Sequence, residues 1–253
     1  MTTAAEAIDL PFEEAIAFFK QKVPVKTQHW TDVWQDAHSR AFMVAGAAQD
    51  ALVEDFRQAI LKAIEDGTTL AEFRQDFDQI VARHGWVHNG SPGWRAQTIY
   101  DTNLRSAYSA GRYAQQTDPD TLRVFPYWTY MHGDSVHPRP MHLAWNGTTL
   151  RADDPWWDSH YPPGGWRCSC YVVSTSRRGL ARMGKSGPDT APADDPVPWR
   201  NPRTGTVHMV PKGIQPGFGY NPGKAWLHGP LHAERLVPVH PDDATGVARP
   251  DGG

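Results

Sequence analysis

Asp134-Ser-Val-His137-Pro-Arg139-Pro-Met-His142, then Asn146-Gly147, then Asp153-Asp154-Pro-Trp156-Trp157-Asp158-Ser-His160-Tyr-Pro162-Pro163-Gly-Gly-Trp166-Arg167-Cys168-Ser-Cys170, is the stretch that decides the fold. Over its whole span, 134–170, it holds both cysteines of the chain and four of its 11 tryptophans, Trp145 included. Prolines, glycines and a tight Asn-Gly pair break it into short pieces, so no long helix runs through it. Short strands joined by irregular loops are the expected form. Val124–Tyr130 reads as a strand, Met141–Leu150 as a hairpin turning at Asn146-Gly147, and Arg167–Val173 as a third strand. Together they make a small antiparallel sheet.

Upstream the period changes to that of helices. Residues 9–22 place Phe12, Ile16 and Phe19 at helical spacing, with Asp9 as cap, Pro11 in the first turn and Pro24 as stop. Thr31–Gly46 reads as a second helix. Gln49–Asp66 carries an apolar stripe of Leu52, Phe56, Ile60 and Ile64 and ends at Gly67. Thr69-Leu-Ala-Glu72 is a capping box opening a fourth helix that ends at Gly85. Ser91-Pro92 opens the longest helix, to Thr117, with Trp94, Ile99, Leu104, Tyr108 and Gly111 expected inward and Asp118-Pro119 as its end. Downstream, 179–217 is rich in Pro, Gly, Asp and Ser and reads as a linker or extended arm with an edge strand near Thr206–Val210. Gly217–Gly223 is a turn-rich clip, and the residues after Pro238 read as disordered. The class is therefore α+β: a helical region over 1–92, a loop-rich β module over 93–178 and an arm over 179–253.

Bulk properties narrow the function. The chain has 253 residues and a net charge of −3, which argues against coating nucleic acid in bulk. Residues 1–85 carry 8 Lys/Arg against 14 Asp/Glu, whereas 100–182 carry 9 Arg and no Lys against 7 Asp. Arginine forks suit fixed contacts to carboxylate or phosphate; ordinary surface ion pairs are the plainer account. Two nearby cysteines make no disulfide framework and fit a reducing compartment. No segment reaches the roughly 18 apolar residues of a membrane span. Met1–Leu10 is acidic rather than a secretion signal.

Two chemistries are open for the central stretch. His142, Cys168 and Cys170 could bind a structural zinc, with His160 or Asp134 as fourth ligand and His137 as a further option. Cys-x-Cys spacing counts against this, because a flat strand holds the two sulfurs too far apart unless the backbone curls. The alternative is one buried and one exposed free cysteine, with histidines hydrogen-bonded into loops. Trp156, Trp157 and Trp166 read first as packing for a small core, and second as a docking face. No Walker loop, His-Glu-x-x-His or Gly-x-Ser-x-Gly motif is present.

The run Asp134…Arg139…His142…Gly147…Asp154-Pro155-x-Trp157…Pro162-Pro163-x-Gly165-Trp166-x-Cys168-x-Cys170 resembles the phage Mu F-like minor head proteins, the head morphogenesis family of tailed phages. Tyr100–Tyr108, Gly111–Gln115 and Gly217–Gly223 resemble its flanking segments. The resemblance implies a non-enzymatic minor capsid component that acts with the portal in head assembly and DNA packaging, inside the head, after synthesis in the host cytoplasm. Some members are thought to leave the head with the DNA. It implies portal, major capsid or scaffold proteins as partners, phage DNA nearby and no membrane. His142, Cys168 and Cys170 fall at the family's suspected metal-ligand positions. Arg139, Trp157, Trp166 and Arg167 are the residues placed at the interaction surface. The competing class is a metal-dependent hydrolase or nuclease on the same cluster, with Asp134, Asp154 or Asp158 as general base.

Overall fold

The computed structural model describes residues 12–135 and 137–229. The capping role given to Asp9 and Pro11, and the tail after Pro238, lie outside the described residues. Helix α1 spans Glu13–Lys20 and buries Ala15, Ile16, Phe18 and Phe19. It closes at Lys20, before Pro24, because Gln21 bends back: its Nε2 donates to the Phe18 and Ser39 carbonyls. Val23–Pro24 (β1) pairs in parallel with Ala41–Phe42 (β2).

The helix expected over 31–46 does not form. Two single 3-10 turns, Trp30–Asp32 and Gln35–Ser39, take its place. Val33 and Trp34 are extended and Gln35 has φ +46°. The reason is long-range: Trp34 stacks on Trp199 at 5.4 Å between ring centroids and meets His208 at 4.5 Å. Aromatic packing against a hairpin 165 residues away in the chain overrides a local period that pointed to a helix.

The next three helices follow their sequence signals. α2 (Asp50–Asp66) ends on Gly67 at φ +69°, and α3 (Leu70–His84) ends on Gly85 at φ +57°, the left-handed conformation glycine adopts freely. Thr69 and Glu72 complete the capping box: Thr69 Oγ1 accepts from the Glu72 amide at 3.3 Å, and Glu72 Oε2 accepts from the Thr69 amide at 2.8 Å. α4 (Pro92–Gln116) is capped by Ser91 and buries Ala96, Ile99, Leu104, Ala107 and Ala110. Trp94 and Tyr108, expected inward, are 48% and 39% exposed. Gly111 has a packing reason: a Cβ there would lie 2.7 Å from the Ala15 amide nitrogen, so α1 and α4 cross at backbone contact. Asp118 ends α4 as expected and also caps the short α5 (Pro119–Val124).

The small antiparallel sheet is present, with different borders. β3 (Tyr127–Met131) lies between β4 (Thr149–Arg151) and β5 (Tyr171–Thr175). The Met141–Leu150 hairpin is not formed. Pro140–Ala144 is a helical turn (α6) with proline at its start, and β4 pairs with β3 instead. Gly147 does supply a turn at φ +82°, and its amide donates to the Tyr130 carbonyl. The third strand starts at Tyr171 rather than Arg167, because Arg167 sits at φ +56° and the Cys168 amide turns back to the Gly165 carbonyl. Thr129 ties the three strands inside: its hydroxyl bonds those of Thr149 (2.9 Å) and Thr175 (2.7 Å). A turn of helix, α7 (Trp157–His160), covers this core.

The arm is more structured than its composition implies. It contains α8 (Arg177–Arg182), an antiparallel hairpin β6–β7 (Val197–Arg200, Val207–Val210) and α9 (Pro222–His228). β7 matches the expected edge strand. Asp189 exchanges backbone and side-chain bonds with Thr149 and pairs with Lys185, which stitches 185–189 to β4. The 217–223 clip behaves as expected: Asn221 is buried, donates to the Trp157 carbonyl and caps α9, and Gly223 lies directly on Tyr113 of α4. No described helix is long and apolar enough to cross a membrane.

Candidate metal centre

His142 projects from α6, and Cys168 and Cys170 come from the curl before β5. The backbone bend at Arg167 answers the objection drawn from flat-strand geometry. Both sulfurs lie 3.5 Å from His142 Nδ1. One ligand atom from each residue falls within 4.8 Å of the other two. His142 is 1% and Cys168 2% exposed. His142 Nε2 is 3.0 Å from the Gly213 carbonyl, which can only accept. With an ion held at Nδ1, the ring's proton would sit on Nε2 and be donated to that carbonyl, the arrangement of a metal-binding histidine steadied by an outer acceptor. Trp145 stacks on the ring at 5.2 Å, and a Cβ at Gly164 would come 3.2 Å from Cε1.

The two thiols are electrically unequal. Hydrogen bonding from Cys168 holds Cys170 down at about 4, with His142 and Tyr130 helping and burial opposing. The same bond, then burial, push Cys168 well up. The protein thus stabilises one thiolate inside an aromatic shell. The donor set fits zinc: tetrahedral bonds of about 2.05 Å to nitrogen and 2.3 Å to sulfur place N and S about 3.5 Å apart. No carboxylate or further His or Cys joins the group among the described residues.

The other nominated residues lie elsewhere. His160 is buried against Trp156, ring on ring at 4.3 Å, and its Nδ1 faces Ser159 Oγ and the Trp156 carbonyl; burial pulls its pKa down. Asp134 is exposed, and among the described residues only its backbone carbonyl is engaged, by Ser169 Oγ. His137 is exposed too. Of the candidate bases, Asp154 Oδ1 caps the Trp156 amide and Asp158 pairs with Lys224 at 2.5 Å.

Trp157 is 2% exposed and donates to the Arg151 carbonyl, so it builds the core and offers no docking face; Trp156 is buried as well. Trp166 is half-buried between Trp30 and Phe218. Arg139 donates to the Trp166 carbonyl and to Gln215 Oε1. Arg167 is exposed and pairs with Asp101, while Arg105 donates to the Arg167 carbonyl rather than pairing within its helix. The sequence reading missed Gly213, Gln215 and Tyr130. Gln215 also accepts from the Trp166 amide at 2.7 Å, so the arm is part of this centre. Only the turn-forming Gly213 carried a local signal; nothing in the spacing links it to His142.

The family model described as Phage Mu protein F like protein matches residues 54–173, a span that includes all three candidate ligands. The "Putative capsid assembly protein F" of Escherichia phage Mu is 32% identical over 87% of this chain and 56% of that protein. The "Mu-like prophage FluMu F protein" of Haemophilus influenzae is 36% identical over 62% of this chain and 40% of that protein. The chain spans about half the length of these curated relatives. No solved structure matches.

Proposed function

Because the chain is a Mu F-like protein, matched to that family over residues 54–173, we propose that it is a minor head protein that takes part in assembling a tailed-phage capsid. One observation carries the reading: the span matched to the family is the span that gathers His142, Cys168 and Cys170 into one buried group. We assign that group a structural zinc with three protein ligands, its fourth position left to water or to a side chain of a partner. The ion would tie α6 to the curl before β5, where the apolar filling is thin and loops are long. It would neutralise the thiolate and remove the proton of its partner thiol.

A structural rather than catalytic role fits the surroundings. Asp154 and Asp158 are engaged away from the cluster, Asp134 is exposed with its carbonyl bound by Ser169, and His142 and Cys168 are almost wholly shielded from solvent while Cys170 is half-buried. Association with the portal inside the head is the finer part of the proposal. It draws on the acidic helices of the first 85 residues as a protein-facing side. Proximity to packaged DNA draws on Arg177, Arg178 and Arg182, which are exposed and have no ion-pair partner among the described residues. Arg139, Arg151 and Arg167 are already held by protein acceptors.

The test is genetic and chemical together. A phage lacking this chain should fail to form full heads, and cross-linked assembly intermediates should join the chain to portal peptides. Normal heads containing none of the chain would refute the role. Purified chain should carry one zinc, absent from the Cys168→Ser/Cys170→Ser double variant. Protein that folds with no metal would remove the zinc and leave the capsid role standing.

A further inference from the structure

Away from the metal centre, a cavity of about 380 Å³ lies between the first half of α4, the 22–45 segment and the pieces 166–167 and 217–220. Its size falls in the range of about 300–1,000 Å³ typical of ligand sites. Trp30, Trp94, Trp166 and Phe218 form apolar walls. Half-exposed Trp94 brings the cavity to the surface. Three cations line it, Lys22, Arg95 and Arg167, and no aspartate or glutamate among the described residues does.

Two of those cations lack a counter-charge among the described residues. Arg167 pairs with Asp101. Lys22 is 6% exposed, and its ammonium meets only the His38 carbonyl at 2.7 Å and the Phe18 and Phe19 rings. Burial pulls it down to about 7, as desolvation does to an ammonium without an anion. Arg95 donates through Nη2 to the Ala45 carbonyl and lies over Trp86, while its buried Nε has no partner. The hydroxyl of Thr102, also on the wall, is buried and unpartnered. Uncompensated buried cations are costly, so the wall formed by Lys22 and Arg95 favours an anion beside it.

We propose that the cavity receives an acidic side chain of a partner polypeptide, with the neighbouring aliphatic or aromatic residue seated against the tryptophans. A carboxylate supplies the counter-charge that Lys22 and Arg95 lack. Its short hydrocarbon stem suits walls made of indole, which a phosphate does not. The inference stands on the cavity alone and survives failure of the head-assembly reading.

The experiment titrates the full chain with the blocked peptide acetyl-Leu-Glu-Phe-Leu-amide and with its Gln counterpart. It follows the indole N–H resonances of Trp30, Trp94 and Trp166. The Glu peptide should shift all three and bind about tenfold more tightly than the Gln peptide, the size expected for one charge-assisted hydrogen bond. Arg95→Gln should abolish the preference. The proposal is overturned if the two peptides bind alike, if neither moves the resonances, or if inorganic phosphate or a short oligonucleotide binds more tightly than the Glu peptide. It is also overturned if the preference persists in Arg95→Gln. Should that variant fail to fold, Lys22→Met in its place must reduce the preference.

Discussion

The core around α2, α3 and α4 and the core around β3 are made from different residues on different terms. The first is Phe, Leu, Ile, Val and Ala at helical spacing, much of it settled by neighbours three or four residues apart. The second is Trp128, Tyr130, Trp145, Trp156, Trp157 and Tyr161 with little aliphatic filling, drawn from α4, three strands, two helical turns and the arm. Its rings meet edge-on, for example Trp128 with Trp157 at 5.7 Å and Tyr130 with Trp145 at 5.8 Å. A few large rings bury much area with few residues, but they need partners far away in sequence. A helical core can be built locally; a core of this second kind depends on clips, of which the His–Cys–Cys group and the 213–223 segment are two.

The largest effect should come from cutting one ring out of each core. Trp157→Ala and Phe56→Ala should each cost about 3–5 kcal/mol in urea unfolding. They should differ in kind. Trp157→Ala should abolish near-ultraviolet dichroism while leaving most helical signal, and Phe56→Ala should lower both together. Identical loss of both signals in the two variants would erase the distinction.

Next comes the clip. In zinc-loaded protein, Cys168→Ser/Cys170→Ser should cost about 3 kcal/mol and speed amide exchange in β3–β5 and at Gly213, with α2 and α3 still protected. Loss spread evenly over the chain would mean that the centre does not serve the second core in particular.

A smaller effect, of opposite sign, is expected at Lys22, where the 22–45 segment meets the first core. Its folded pKa of about 7 lies below the ordinary 10.5. Between those values the unfolded chain holds the proton that the folded chain has released, so stability rises with pH across that window. Lys22→Met should therefore stabilise the protein at pH 7 by about 1–3 kcal/mol, with the gain shrinking toward pH 10. A gain independent of pH would point to packing alone. The smallest effect is local: Thr69→Ala should cost about 1 kcal/mol, lost from α3 without change in the second core.

The legibility of the sequence follows the same division. Gly67, Gly85, Ser91 and the Thr69–Glu72 box marked helix ends correctly, because caps act within one turn. Thr31–Gly46 misled, because the stacking partner of Trp34 is Trp199, and no window around residue 34 contains it. His142, Cys168 and Cys170 were legible as ligand types, and 179–217 was underrated because its polar composition hid the bonds of Asp189 to β4.

By itself the sequence determined the helices of the first core, the α+β class, the three side chains with ligand chemistry and the family likeness, since all of these are local patterns of period, cap and residue type. Tertiary structure alone decided that the chain curls at Arg167 to bring both sulfurs to one imidazole, that Gly213 orients that ring, and that Trp157 faces inward. Each of those depends on contacts between residues tens of positions apart, and the energy that fixes them exists only once both sides of the contact are in place.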